Sequence, residues 1–439
     1  MKISPARIAA FEILSKIEKE KAFSSVLLPQ YENNLSPQDR GLCHALTLGI
    51  LRKQISLDRV MNQFTKGKKL DPAVRIALRI GLYQLLFLDK VPDYSAINES
   101  VNLVQYAKKT SAKGFVNAIL RRATREKIEL VFADEIERIA VETSHPRWLI
   151  EKWIGQFGNS EAEKLAAANN EIPQIAFRLT ARSDGQPPAD TSASAFVEGC
   201  FLAKHNDDEL LAMADRGEIY FQDEASQMVA ASVHVKEGQK FLDVCSAPGS
   251  KVTLIATKFQ ISDVKSQITN SRLLISGDLH YQRVQFMRNN FEMQNIENYN
   301  LLQYDALRGL PFADESFDVV LVDAPCSGTG TIRHNPEIRY FISSEDFDDL
   351  SLKQLTILIN ASKLIRPGGR IIYSTCSLEP EENEAVCSDF LAANADFRKL
   401  RPDVPDKFIN EEFFAHTSPH RDNMDGFFIA AFERMSGKL

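Results

Sequence analysis

Two cysteines sit at matching places in the chain. Val319-Val320-Leu321-Val322-Asp323 is an apolar run that closes on an acid, and Ala324-Pro325-Cys326 follows it. Arg370-Ile371-Ile372-Tyr373-Ser374-Thr375-Cys376 is a second run, closing on a cysteine. Both read as strands. After Cys376, Ser377-Leu378-Glu379-Pro380-Glu381-Glu382-Asn383 reads as a turn and the acidic first turn of a helix. In an open α/β sheet, carboxyl ends of strands face the crevice where ligands bind. One cysteine there is ordinary packing; two, each in a distinctive turn, point to nucleophilic chemistry. A thiolate adding to C6 of a cytosine makes an enamine whose C5 can attack an electrophilic methyl, splitting one hard step into two. The reaction needs a thiol to attack, a group to take the C5 proton, and a partner at N3 for the charge that develops there. Asp323, three residues before Cys326, is placed for N3. A free thiol titrates at about 8.5 and must be activated. The helix start after Cys376 favours the thiolate, while Glu379, Glu381 and Glu382 oppose it, and the sequence leaves this open.

The methyl donor needs a site of its own. Phe241-Leu242-Asp243-Val244 is a strand, and Cys245-Ser246-Ala247-Pro248-Gly249-Ser250-Lys251 is the turn into the next helix. Gly249 allows close backbone approach of a ligand at a helix start. The turn lacks the GxGxxG of a dinucleotide site, and the chain has no Walker lysine motif. Asp278, after the strand Leu273–Gly277, is placed to hold ribose hydroxyls. Asp305, after Tyr299–Leu302, is placed to reach an adenine edge. These features together indicate a nucleoside cofactor. Cys245 lines this turn through its backbone, and Cys387, on a helix, reads as core.

The elements that position these residues fill only part of the 439 residues, which suggest two or three domains. Residues 236–439 alternate strand and helix signals, ending on the strand Gly426–Phe432, as a doubly wound, mostly parallel sheet does. Residues 1–135 read as helices throughout: Ala10, Phe11, Leu14 and Ile17 recur at helical spacing, and Asp71-Pro72 and Asp93 mark helix starts. Residues 136–235 are mixed. His145-Pro146-Arg147 opens a helix carrying Trp148 and Trp153, both read as core, and Ile175–Thr180 and Ile219–Gln222 read as strands around a Gly/Pro loop. Asp223 is a helix cap. No chemistry is assigned to this segment.

Charge is unevenly shared. Residues 1–140 hold 23 Lys+Arg and 15 Asp+Glu, a net +8, against −15 for the remainder. Lys66, Lys68 and Lys69, Lys108, Lys109 and Lys113, and Arg121, Arg122, Arg125 and Lys127 form clusters. A basic module on an acidic one fits a polyanion partner, although solvated helix faces give the same totals. No apolar run approaches the roughly 18 residues of a membrane span, and Met1-Lys2-Ile3-Ser4-Pro5 leads into a charged amphipathic stretch, so a cytoplasmic protein is expected. The six scattered cysteines include no CxxC pair, which argues against a metal site.

Three groups of motifs resemble known families. Arg79–Leu86, Ala96–Val101 and Gly114–Arg122 look like the NusB family, an all-helical RNA-binding fold. Asp323–Gly330 and Ser374–Asn383 resemble the signatures of RNA 5-methylcytosine methyltransferases, and Arg333-His334-Asn335-Pro336 and Asp425-Gly426-Phe427-Phe428 also fit. The 245–251 turn resembles their S-adenosyl-L-methionine loop, with Ser250 where Gly is commoner. The resemblance implies an all-α NusB-like domain, a small α+β RNA-recognition-like subdomain and a C-terminal α/β Rossmann-like class I methyltransferase domain. It implies that Cys376 is the C6 nucleophile, that Cys326 assists release, and that Asp278, Asp305 and Asp323 join the 245–251 loop around the cofactor. The helical module ahead of that domain is similar to the arrangement in enzymes acting on small-subunit (16S) ribosomal RNA, expected here as a protein-free partner for a monomer. The same chemistry on tRNA, a small-molecule methyltransferase, and a non-catalytic RNA-binding or antitermination protein remain as alternatives.

Overall fold

The protein is described by a computed structural model covering residues 3–205, 208–266 and 273–436; Met1-Lys2 and the last residues of the expected catalytic domain lie outside these. The chain divides into two compact units, residues 3–172 with 332–342, and residues 173–331 with 343–436. The sequence set limits at 135 and 235, so this division differs. The reason is packing: the helices following residue 135 bury Ile139, Leu149, Ile150 and Trp153 together with His145, which is fully buried.

The first unit contains helices α1 (Pro5–Glu20), α2 (Ser24–Glu32), α3 (Pro37–Thr65), α4 (Pro72–Phe87), α5 (Asp93–Tyr106), α6 (Lys113–Ala123), α7 (Glu135–Glu142), α8 (Arg147–Phe157) and α9 (Asn159–Ala168). Asp71 caps α4, accepting from Ala73 N at 3.0 Å, with Pro72 in the first turn. Helix α5 begins at Asp93, yet Pro92 holds the cap position and no side chain caps it. Gly81 lies inside α4 because a Cβ there would meet Leu120 at 2.6 Å. Buried Arg79 is neutralised by Asp58 and Glu18.

Residues 332–342 complete this unit from far along the chain. Glu337 accepts from Ser24 N at 2.6 Å and Ser24 Oγ at 3.0 Å, satisfying the start of α2. Arg339 is fully buried and donates to the carbonyls of Thr143, Ser144 and Asn169 and to Asn170 Oδ1. Burial pushes its guanidinium down to about 10, with Tyr340 and Glu337 opposing the shift.

The second unit holds two sheets. Strands β1 (Ile175–Leu179), β2 (Thr191–Ala193), β3 (Cys200–Ala203) and β4 (Ile219–Phe221) form a small antiparallel sheet in the order β2-β3-β1-β4, with α10 (Asp208–Asp215). This is the small α+β subdomain; the two strands legible in the sequence are β1 and the edge strand β4. Helix α11 (Glu224–Ala231), capped by Asp223, leads into the large sheet.

That sheet is built from β5 (Lys240–Asp243), β6 (Leu273–Asp278), β7 (Tyr299–Gln303), β8 (Phe317–Asp323), β9 (Ile365–Thr375), β10 (Phe397–Leu400), β11 (Ala415–His416) and β12 (Phe428–Arg434). Its order is β10-β12-β9-β8-β5-β6-β7, with β11 on β12. Strands β5 to β9 are parallel and β12 runs against β9. Helices α12 (Ser250–Ser266), α13 (Tyr281–Met293), α15 (Ser344–Ser362) and α16 (Glu384–Ala393) alternate with the strands, α14 (Ile338–Phe341) lies in the segment that joins the first unit, and α17 (Pro419–Asp422) precedes β12. From β5 the chain runs outward through β6 and β7, then returns to β8 on the other side of β5. The strand order therefore reverses between β5 and β8, the place where such sheets bind ligands.

Candidate active site

The register of the sheet explains how residues 50 apart in sequence meet. Asp323 pairs with Ser374, and Ala324 N donates to Ser374 O at 2.9 Å. Each strand stops within a residue of that pair, so the turns after β8 and β9 emerge side by side. Cys326 Sγ and Cys376 Sγ stand 3.3 Å apart, each half-buried with one side open. The turns are tied across: Gly330 N donates to Cys376 O at 3.0 Å, and Leu378 N donates to Thr329 Oγ1 at 3.0 Å. The Asp425-Gly426-Phe427 loop closes on them, Gly426 N donating to Gly330 O at 2.8 Å. A Cβ on Gly330 would lie 2.0 Å from Gly426 O, so only glycine fits there.

Cys326 is pushed well above the usual thiol value, by its hydrogen bond to Cys376 and then by burial. Asp323 Oδ1 accepts from Ser374 Oγ at 2.7 Å and Oδ2 from Lys251 Nζ at 2.6 Å. Burial opposes the charge on Lys251, but Asp323 and then Cys376 outweigh it and raise the ammonium above its usual range. Lys251 also lies 5.0 Å from the centre of the Phe427 ring. The 245–251 turn thus reaches the thiols through its last residue.

One expectation is corrected. The helix after Cys376 does not begin in its first turn: residues 377–383 are irregular, and α16 starts at Glu384. Its N-cap residue, Asn383, folds back against the neighbours of Cys376, donating from Nδ2 to Ser377 O at 2.9 Å and accepting from Thr375 Oγ1. Lys251, whose ammonium Cys376 helps to hold charged, is a cation beside the pair. Glu379 and Glu382 are buried, Glu382 in contacts described below.

The 245–251 turn is held on all sides. Ser246 N donates to Gly277 O at 2.9 Å, Arg283 Nη2 to Ala247 O at 2.8 Å and Asn290 Nδ2 to Pro248 O at 2.8 Å. Gly249 has φ +95°, a conformation that side chains rarely adopt. Asp278 ends β6 and is buried, accepting from His280 N at 3.1 Å. Asp305 follows β7 half-exposed, bonded to Leu307 N at 3.0 Å and facing Arg308. The structure therefore groups Asp323, Cys326, Cys376 and Lys251, and places the turn, Asp278 and Asp305 along the same carboxyl edge. Cys387 is core, as its helix position indicated.

Two residues in the small sheet and its surroundings escaped the sequence reading. Arg178 on β1 is almost fully buried, and its guanidinium donates to Thr253 Oγ1 at 2.7 Å, Gln294 Oε1 at 2.9 Å, Gln222 Oε1 at 2.9 Å and Ser250 O at 3.2 Å. Burial pushes it down to about 10. It braces the start of α12 from a segment to which no chemistry was assigned; an arginine inside the strand Ile175–Leu179 was the available signal. Gln222 was read only as the end of a strand.

Comparison with known proteins follows the same lines. Residues 230–433 match the model of the family described as 16S rRNA methyltransferase RsmB/F, and residues 4–125 match the NusB family. The probable ribosomal RNA small subunit methyltransferase B of Bacillus subtilis is 33% identical over 99% of this chain and all of its own. The chain belongs to the RsmB/F methyltransferase family. The ribosomal RNA small subunit methyltransferase B of Pseudomonas putida is also 33% identical, over 90% of both chains. The crystal structure of PH0851 shares the fold at a TM-score of 0.81, with 24% identity over 99% of each chain.

The cofactor of this RsmB/F methyltransferase is S-adenosylmethionine. The residues at the strand ends fit such a group. Asp243 Oδ1 on β5 and Ser276 Oγ on β6 are buried without hydrogen-bond partners among the described residues, beside the buried Ser246 hydroxyl in the turn after β5. Burial, then Asp323, pushes Asp243 up to about 7, against Ser246 and Lys251. Unsatisfied polar atoms beside a positive-φ glycine are what a polar nucleoside ligand needs.

Proposed function

We propose that the chain methylates C5 of a cytosine in small-subunit ribosomal RNA through a transient bond between Cys376 and C6. The observation that carries this is the 3.3 Å approach of Cys326 and Cys376 at the point where strand order reverses. Supporting it are the family's RNA methyltransferase description and the relatives named for small-subunit ribosomal RNA. S-adenosylmethionine, when bound, supplies an electrophilic methyl group. The 245–251 turn, Asp278 and Asp305 would hold the cofactor, which would leave as its demethylated thioether once the methyl is transferred. Cys376 adds as the thiolate to C6, while Asp323 draws a proton from the Lys251 ammonium bonded to its Oδ2 and delivers it to N3, so that charge does not accumulate there. C5, now an enamine carbon, accepts the methyl. The C5 proton then leaves with help from Cys326, the C5=C6 bond re-forms, and Cys376 departs as a thiolate.

RNA is held in part by the first unit. There the turn after α3, with Lys66, Lys68 and Lys69, meets the turn before α6, with Lys108, Lys109 and Lys113. Lys109 Nζ lies 2.8 Å from Asp71 Oδ2, and Lys68 lies over the Phe115 ring at 5.9 Å. Arg79, Arg122 and Arg138 are tied to carboxylates, whereas Lys66, Lys69 and Lys108 have no acidic partner among the described residues. Free cations gathered in this way suit phosphates, and binding there weakens steeply with salt.

The test is an adduct assay with Cys326→Ala and Cys376→Ala, each incubated with S-adenosylmethionine and protein-free small-subunit rRNA and run on a denaturing gel. A slow covalent RNA band is expected with Cys326→Ala and none once Cys376 is also replaced. The reverse pattern exchanges the roles. No adduct, with no methyl transferred by the wild type to rRNA or tRNA, removes the enzyme reading; transfer to tRNA alone moves the substrate.

A further inference from the structure

Behind the two thiols lies a carboxylate with no part in the chemistry above. Glu382 is fully buried. Its Oε1 accepts from Ser327 N and Gln354 Nε2, each at 2.8 Å, and its Oε2 accepts from the hydroxyls of Ser327 and Ser377. Four donors on two oxygens are the complement of an ionised carboxylate. No Lys, Arg or His among the described residues forms an ion pair with it. A buried carboxylate without a cation is a costly way to fill space, and apolar packing often serves a fold as well or better.

Its partners explain its presence. Ser327 adjoins Cys326 and Ser377 adjoins Cys376, so one side chain fastens the residues beside both thiols. Gln354 donates to Pro325 O at 3.0 Å as well, adding the other neighbour of Cys326. Tyr373 OH donates to Glu382 O at 2.6 Å, and Asn383 Nδ2 to Ser377 O at 2.9 Å, fixing the 377–383 segment from behind. We propose that Glu382 is a positioning residue that clamps the two cysteine turns together and sets the separation of the Cys326 and Cys376 sulfurs. Its significance for methyl transfer rests on the reading of those thiols given above; the clamp itself does not. Its charge has a second effect, since it adds to the influences that keep the proton on Cys326.

Glu382→Ala and Glu382→Gln in the full chain separate these effects. The glutamine amide can donate to the two serine oxygens while its carbonyl still accepts from Ser327 N and Gln354, so it preserves the clamp and removes the charge. Dibromobimane, which fluoresces when both its ends alkylate thiols, reads the Cys326–Cys376 spacing without RNA or cofactor, with the bridged peptides identified by mass. Wild type and Glu382→Gln are expected to bridge efficiently and Glu382→Ala poorly. Single-turnover methyl transfer by Glu382→Ala should fall about 100-fold, the effect of misplacing a reacting group by about an ångström, with KM for both substrates held. In Glu382→Gln, alkylation of Cys326 should shift to lower pH. Bridging and turnover by Glu382→Ala within about twofold of wild type overturns the proposal. So does a glutamine variant as impaired as alanine in bridging. If Glu382→Ala does not fold, the Ser327→Ala/Ser377→Ala pair carries the same bridging prediction. Wild type that bridges but transfers no methyl leaves the clamp standing and removes the catalytic reading instead.

Discussion

The two sides of the sheet's carboxyl edge are finished differently. At the ends of β8 and β9 the polar side chains answer one another: Glu382, Ser327, Ser377, Gln354, Tyr373 and Asn383 form one connected network. At the ends of β5 and β6 the turn is braced from outside, by Arg178, Arg283 and Asn290, while Asp243 and Ser276 point atoms at nothing in the described chain. One side ties its own groups to one another and holds two reactive groups at a fixed spacing. The other has hydrogen-bonding capacity to give away. A group that is retained must be held rigidly, whereas a cofactor that is exchanged each turnover must be met by unspent donors and acceptors.

If the two sides are independent in this sense, they can be broken separately. The largest effect is expected from Cys376→Ala, which should lower methyl transfer by roughly 10⁴-fold or more, as loss of a covalent nucleophile does. Calorimetric binding of S-adenosylmethionine should be unchanged; a large loss of affinity would mean that the thiol side also builds the cofactor site. Next comes Asp278→Ala. Loss of a charged hydrogen-bond partner is worth about 1.5–3 kcal/mol, so cofactor affinity should fall roughly 10–100-fold. Bimane bridging of Cys326 and Cys376 should not change, and a drop in bridging would contradict the division.

The sharpest probe of the unfinished side is on stability. Asp243 is held up to about 7 in the folded state, against an ordinary value of 3.8. The folded protein therefore keeps a proton that the unfolded chain releases. The stabilisation is fully present below about pH 4 and is lost as pH rises towards 7, with a slope of about 1.4 kcal/mol per pH unit. Asp243→Asn, neutral at every pH, should flatten that decline in urea melts without cofactor. An unaltered slope would show that the proton resides elsewhere.

Much of this was legible in the sequence, for identifiable reasons. The parallel strands are continuous apolar runs, and the residues that end them, Asp243, Asp278, Asp323 and Cys376, were read in place. Helix α4 announced itself through Asp71-Pro72. What stayed hidden depends on contacts between distant segments. Short β10 and β11 exist only because β12 offers them an edge. β9 starts earlier than its Gly369–Tyr373 core because Ile365 pairs with Phe317 across a register shift. Glu382 looked like one of three acids opposing a helix dipole; only the fold turns it inward. Arg178 gave a signal, a charge inside a strand, whose partners no local pattern names.

Residues 332–342 have a consequence for inheritance. Two family signatures meet this chain as successive blocks, and a gene could be cut between them. The folded helical unit cannot be cut so simply, because Arg339 and Glu337, encoded beyond Cys326, fill its interior and close the end of α2. A fragment ending at residue 172 would leave the Thr143, Ser144 and Asn169 carbonyls without their donor. A chimera that exchanged one relative's helices for another's would have to carry the matching eleven-residue segment with them. Two stretches separated by the small sheet and half the strands of the large one are thus bound to change together, and the boundary visible in the sequence is not one across which parts can be traded.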